Sequence, residues 1–177
     1  MAVRRLLPAH ASAYQALMLE AYALHPDAFT SSAAERAVLA PDWWAARLSG
    51  DSQAAEIVVG VFQGQCLAGV AGLAFESREE VRHKARLFGM YVAVRFRRRG
   101  FGRQLVQAAL AEAKTRTGMR VVQLTVTQGN QAAQALYVQC GFVPFGIEPL
   151  AVAVGAGFVS KIQMWCDVGT SEANARN

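Results

Sequence analysis

The chain has 177 residues, of which 53% are hydrophobic and 18% charged, a balance that supports one domain with a substantial core and excludes a charge-rich disordered chain. A formal net charge of +5 and a pI near 9.5 suit an anionic ligand, a nucleic acid or an acidic surface, without choosing among them. Cys66, Cys140 and Cys166 are widely spaced and form no C-x-x-C pair, which speaks against a disulfide scaffold or a zinc site.

No apolar run approaches the roughly 20 residues that span a bilayer, and the N-terminus turns polar after Leu7. The expectation is a soluble, unexported, cytoplasmic protein.

Val3 to Leu7 predicts a short strand, and Tyr14, Leu17, Met18 and Ala21 recur at the spacing of an amphipathic helix that Pro26 ends. A second helix follows Pro41 and carries Trp43, Trp44, Ala46, Arg47 and Leu48, while the stretch from His25 to Pro41 shows no clear pattern. Ile57 to Phe62 and Cys66 to Phe75 are rich in β-formers around Gln63-Gly64-Gln65, the pattern of a hairpin. After a charged loop from Glu76 to Lys84, Leu87 to Val92 is apolar on both faces, as expected of a buried central strand.

Phe101 to Thr117 is an amphipathic helix with Leu105, Val106, Ala109, Leu110 and Ala113 on one side, and Gly118 ends it. Val121 to Val126 is a strand, and Asn130 caps a helix through Gln139 that Gly141 closes. Phe142 to Phe145 and Gly157 to Trp165 are the last strands, separated by Pro149 and a glycine-rich connection. There is no internal repeat and no linker, so residues 1–168 read as one domain, followed by a polar tail, 169–177, expected to be mobile.

The informative stretch is Arg97-Arg98-Arg99-Gly100-Phe101-Gly102-Arg103, which joins the buried strand directly to a helix. The first N–H groups of a helix lack intrahelical partners and carry its positive dipole end, and glycines let backbone close on phosphate oxygens. An arginine cluster alone reads as a solvated or nucleic-acid-facing patch, but this context makes it an anion site. The Walker A spacing is absent, and a dinucleotide fingerprint would need glycine at Leu105.

The pattern R-x-x-G-x-G at Arg97, Gly100 and Gly102 resembles the coenzyme A pyrophosphate loop of the GNAT superfamily of acetyl-CoA-dependent N-acetyltransferases. A second segment, with Asn130, Ala133, Leu136, Tyr137 and Gly141-Phe142 in order, is similar to that family's N-x-x-A-x-x-L-Y-x-x-x-G-F helix. Val94 departs from the family, where many members carry proline.

The resemblance implies an α/β fold with a mixed, strongly twisted sheet, helices on both faces, and two parallel strands that splay apart to admit acetyl-CoA. Those strands are Leu87 to Val92 and Val121 to Val126. Met90, Tyr91 and Val92 would lie along the pantetheine arm, and Arg97, Arg98, Arg99, Gly100, Phe101, Gly102 and Arg103 would form the pyrophosphate site. Asn130 and Ala133 would flank the coenzyme, and Tyr137 would be the catalytic acid toward the departing sulfur. No metal is implied.

The resemblance also implies an acceptor that is a primary amine of a small molecule, peptide or protein. Trp43, Trp44, Phe29 and Tyr22 are candidates for its pocket or for core. An alkylamine with a pKa of about 10.4 is neutral in only roughly one molecule in 2,500 at pH 7, so the attacking group must lose a proton. The predicted central strand contains no carboxylate; His83, Glu76, Glu79 and Glu80 stand in the loop before it, either as exposed charge or as a base. Cys140 has no paired histidine nearby in sequence and reads as a core filler. The alternatives are an acetyl-CoA-binding sensor without catalysis and a basic nucleic-acid-binding module; no specific nucleic acid, no membrane and, as a further partner, only a second copy forming a homodimer are expected.

Overall fold

A computed structural model describes residues 2–169; apart from Gly169, the tail expected to be mobile lies outside the described residues. Strands β1 (Ala2–Arg5), β2 (Glu56–Gln63), β3 (Cys66–Phe75), β4 (Lys84–Val92), β5 (Val121–Thr127), β6 (Val143–Val154) and β7 (Gly157–Asp167) form a 7-stranded sheet in the order β1-β2-β3-β4-β5-β7-β6. Helix α1 spans Ala11–Leu24, α2 Ala33–Ala37, α3 Pro41–Ala46, α4 Phe101–Lys114 and α5 Gln131–Gln139.

Neighbouring strands are antiparallel except β4 and β5, which run parallel because α4 carries the chain back across the sheet between them. Alternation along β2 explains the continuous apolar run: Ile57, Val59 and Val61 join the core under α4, and Val58 and Phe62 join the core under α1. Phe101, Leu105, Val106, Ala109, Leu110 and Ala113 form the buried stripe of α4. On the opposite face Tyr14, Leu17, Met18 and Ala21 of α1 pack with Trp44 of α3, so each face of the sheet is covered.

A β-bulge re-aims β4. Phe88 pairs with Gly72 and Tyr91 with Val70, so Gly89 and Met90 together face Ala71. Gly89 supplies the φ of +58° that the irregularity needs. The extra residue shifts the alternation by one, placing Met90 with the α4 core and Tyr91 with the α1 core.

The structure departs from the sequence expectations at several ends. Strand β4 begins at Lys84 rather than Leu87, and α4 stops at Lys114, where the Thr115 hydroxyl turns back to the Glu112 carbonyl at 2.7 Å. Strand β6 continues past Pro149 through a bulge, in which Pro149, Leu150 and Ala151 stand opposite Ser160 alone and Leu150 takes a φ of 53°, an irregularity that an edge strand tolerates. The unpatterned stretch contains α2, held by a capping box in which Ser32 Oγ accepts from Glu35 N–H and Glu35 accepts from Ser32 N–H. No helix among the described residues is long and apolar enough to cross a membrane.

Tyr14 and Tyr137 are both pushed up from 10.0 to about 12, chiefly by burial. Their folded pKa values exceed the unfolded one, so the stability they contribute is full below pH 10 and is lost as pH rises from 10 through 12. Urea midpoints should fall over that window, and the double variant Tyr14→Phe, Tyr137→Phe should show a shallower fall; an unchanged slope would contradict this origin.

Candidate active site

The parallel pair β4–β5 is joined only at its start, with Lys84 opposite Val121, Ala85 opposite Val122 and Arg86 opposite Gln123. His83 fastens this end, its carbonyl accepting the N–H groups of Arg120 at 2.9 Å and Val121 at 3.1 Å. Beyond Arg86 both strands continue, β4 held by β3 and β5 by β7, but no longer paired to each other. The result is a V-shaped parting inside the sheet, closed near His83 and open toward Val92 and Thr127.

Ala93 N–H donates to Ala68 of β3 at 3.0 Å, and backbone alternation therefore turns the N–H and C=O of Val92 toward the parting. The Val92 carbonyl accepts from Arg97 Nε at 3.0 Å, leaving its N–H facing the open edge. Tyr91 is drawn to the other face, where its hydroxyl donates to Glu20 Oε1 at 2.9 Å.

At the open end the chain makes a tight passage into α4, with Arg98 at φ 62° and Gly100 at φ 76°. Gln104 N–H is the first to be taken, by the Gly100 carbonyl at 3.1 Å. Among the described residues, the N–H groups of Arg98, Arg99, Gly100, Phe101, Gly102 and Arg103 have no protein partner. Such a run of free donors at a helix N-terminus is a cradle for an anion.

The basic side chains around it have separate tasks. Arg97 Nη2 lies 2.8 Å from His25 Nε2, Arg99 Nη1 donates to Gln63 at 2.7 Å, and Arg95 pairs with Glu20 at 3.5 Å. Arg98 and Arg103 are exposed and make no side-chain bond among the described residues. Gly102 serves packing: a methyl group there would meet Leu136 Cδ2 at 3.0 Å and Met90 Cε at 3.1 Å, so its absence lets α4, α5 and β4 converge.

That convergence docks α5. Asn130 Oδ1 accepts from Ala133 N–H at 3.2 Å, an N-cap that explains both residues. Tyr137 is 6% exposed with its ring against Phe142, and its hydroxyl makes no hydrogen bond within the described protein. Burial also pushes the Cys140 thiol up, with Arg103 opposing, so Cys140 is a poor nucleophile. Glu76, Glu79 and Glu80 precede β4 at the closed end of the V, away from the cradle, and His83 is the fastening there. No group of three or more His, Cys, Asp and Glu side chains suited to a metal ion occurs among the described residues.

Beside the bulge lies a cavity of about 180 Å³ whose wall includes Phe88, Gly89, Tyr22, Phe29, Trp43 and Trp44. The four aromatic residues weighed as pocket or core thus share one wall, with Trp44 1% exposed and serving both. Sequence reasoning missed Gly89, although a lone glycine in a strand signals a bulge. It also missed Arg36 and Arg47, which line the same cavity and carry no spacing signal.

A strap closes over this region. Lys161 of β7, 4% exposed, donates from Nζ to the carbonyls of Asp27 and Ala28, each at 3.0 Å, and to Thr127 Oγ1 at 2.8 Å. Thr127 in turn donates to the Asp27 carbonyl at 2.8 Å. Burial pushes the lysine pKa down, but three acceptors match the three protons of an ammonium. The segment after α1 is thereby tied to the β5–β7 side of the parting.

A parted parallel pair ending in an amide cradle at a helix start is the architecture of an acetyltransferase. The chain belongs to the Acetyltransferase (GNAT) family, whose sequence model matches residues 16–142. The fold is similar to that of the GNAT-family acetyltransferase from Streptococcus pneumoniae, at 25% identity and a TM-score of 0.84 over 94% of this chain and 98% of that one. The yncA acetyltransferase from Salmonella typhimurium, solved with its cofactor acetyl-CoA, shares the fold at 20% identity and a TM-score of 0.78, over 99% and 98% of the two chains. So does the ribosomal-protein-alanine N-acetyltransferase from Brucella melitensis, at 22% identity and a TM-score of 0.77, over 94% and 99%. Among curated proteins, no sequence matches the chain.

Replacing Lys161 by Met leaves the part-buried Ala28 carbonyl and the Thr127 hydroxyl oxygen without that donor and the Asp27 carbonyl with Thr127 alone, at a cost of about 1–3 kcal/mol. Urea unfolding should register that loss, and a change below about 0.5 kcal/mol would mean that the strap is not anchored there.

Proposed function

We propose that the chain moves the acetyl group of acetyl-CoA directly to a primary amine. The observation that carries this reading is the parting of β4 from β5 where it opens on the free amides of Arg98 to Arg103. Acetyl-CoA supplies an acyl group activated by a thiolate leaving group. The cradle would bind its pyrophosphate, with exposed Arg98 and Arg103 adding charge, while the Val92 N–H and the neighbouring β4 edge would pair with the pantetheine amides as an added strand does. Backbone donors near Met90 to Val92 would polarise the carbonyl under attack.

Tyr137 is the proposed acid. Its unbonded hydroxyl is free to donate, and a pKa near 12 keeps it protonated throughout the working range. The same elevation makes full proton transfer to a thiolate, whose thiol has a pKa of about 8.5, uphill, so its contribution is a hydrogen bond to developing charge. The raised Cys140 thiol favours direct transfer over an acyl-enzyme. The unengaged tyrosine hydroxyl favours turnover over a sensor, and the inward commitments of Arg95, Arg97 and Arg99 weigh against a nucleic-acid surface. Free cysteines are compatible with the cytoplasm as its setting.

Two substitutions test this site. Arg103→Glu reverses a charge at the cradle without touching packed side chains, unlike any side chain at Gly102, and should weaken acetyl-CoA binding by roughly ten- to a hundredfold in calorimetry; unchanged affinity would move the phosphate site elsewhere. Tyr137→Phe keeps the ring and removes the hydroxyl. Acetyl-CoA affinity should hold while kcat falls about ten- to a thousandfold, and a kcat within about twofold of the parent would leave Tyr137 as packing alone.

A further inference from the structure

The cavity beside Gly89 combines aromatic walls with two guanidinium groups. Arg36 Cζ stands 4.6 Å from the Trp43 ring centroid, and Arg47 Cζ stands 4.7 Å from the same centroid and 5.2 Å from that of Phe88. Tyr14, Tyr22, Phe29 and Trp44 complete most of the wall, and the lining contains no carboxylate and no imidazole. The nearby acid Glu56 is taken by Arg47 at 3.1 Å, whereas Arg36 Nη2 donates to the neutral Ser31 hydroxyl at 2.7 Å. The cavity is therefore cationic by about one charge.

Its donors are also under-used. The Nε atoms of Arg36 and Arg47 and the Nε1 of Trp44 are buried and have no hydrogen-bond partner, and Trp44 as a residue is 1% exposed. Covered by protein, those three atoms are out of a ligand's reach; Arg36, whose side-chain bond among the described residues is from Nη2 to Ser31, keeps an edge of its guanidinium for an acceptor-bearing ligand. With Phe88 and Gly89 in its wall, the cavity abuts the bulge of β4, the strand that borders the parting.

We infer that the amine acceptor is an amino acid with an apolar or aromatic side chain, its carboxylate held by Arg36 beside Arg47 and its side chain against the aromatic wall. The inference rests on the acetyltransferase reading and names the substrate class of the same site. A guanidinium matches a carboxylate with charge-assisted hydrogen bonds, and aromatic faces take an apolar body. At about 180 Å³ the cavity lies below the usual range of ligand pockets, which fits a molecule of amino-acid size. A polyamine finds no carboxylate there and meets two cations.

The water-poor wall also addresses the proton problem. Desolvation disfavours an ammonium and so lowers the pKa of an amine brought into it. With Arg47 balanced by Glu56 and Arg36 by the acceptor's own carboxylate, the amine meets an uncharged aromatic wall where that effect acts. Loss of its proton to solvent then leaves the neutral amine, whose lone pair forms the N–C bond as the C–S bond of the thioester breaks; the nitrogen then gives up a second proton through solvent, which balances the departing thiolate as amide and coenzyme A thiol.

The test has two stages. Calorimetry with acetyl-CoA comes first, and absence of binding overturns the transfer reading and this inference with it. Turnover is then measured on phenylalanine, tryptophan, leucine and methionine against phenethylamine, phenylalaninamide, spermidine and a short peptide with a free N-terminus. The amino acids should exceed phenethylamine and phenylalaninamide in kcat/KM by about ten- to a hundredfold, and spermidine and the peptide by more. Arg36→Gln should raise KM for the amino acids and collapse that ratio toward one, with acetyl-CoA affinity retained as the sign of an intact fold, and Arg36→Lys should recover part of it. If acetyl-CoA binds and the uncharged analogues, spermidine or the peptide serve as well as the amino acids, or none of the amino acids is turned over, the inference fails.

Discussion

A main-chain N–H or C=O withdrawn from water must be paired, and the parting of β4 from β5 breaks that rule in the middle of a sheet. The rest of the molecule holds the break open. On one side β4 is secured through β3 to β2 and β1; on the other β5 is secured to β7 and β6. The Val92 carbonyl is occupied from within by Arg97, and Lys161 ties the segment after α1 across to the far side. What remains is a strip of backbone that an amide-bearing chain can complete, leading to a helix start that an anion can complete. A single extended ligand with amides at one end and phosphates at the other meets both needs.

The second constraint is charge. Acyl transfer to an amine requires a neutral nucleophile, and on the acceptor site proposed above the water-poor aromatic cavity at the bulge would favour one by desolvation. Tyr137 stands on a different element, on α5, where convergence at Gly102 brings it into the α4 core. Burial keeps its phenol protonated, which is the state a hydrogen-bond donor requires. On the roles proposed above, donor protonation and acceptor deprotonation would be favoured by different surroundings.

Much of this was legible in the sequence because local and global signals agree there. Leu87 to Val92 is apolar on both faces because it lies between two helical layers, and the stripe of α4 predicts its burial. The glycine spacing after that strand coincides with the run of free amides, where the two glycines do different things: Gly100 allows a positive φ, and Gly102 allows a close approach. The stretch from His25 to Pro41 was illegible since α2 is one short turn held by its cap and by Arg36 over Trp43, contacts that only the folded chain creates. Pro149 marked a real interruption, but at the sheet edge it becomes a bulge within β6 and not the end of a strand. The charged loop before β4 reads in sequence either as exposed charge or as a base, and it lies at the closed end of the V.

The account stands or falls on the parting being completed by the coenzyme, and amide hydrogen exchange with and without acetyl-CoA tests that most directly. Saturating acetyl-CoA should slow exchange at Val92 and across Arg98 to Arg103, where donors face the opening, and should leave Ala93, already bonded to β3, nearly unchanged. Equal protection throughout the sheet, or none at Val92 and the cradle while acetyl-CoA is bound, would contradict it.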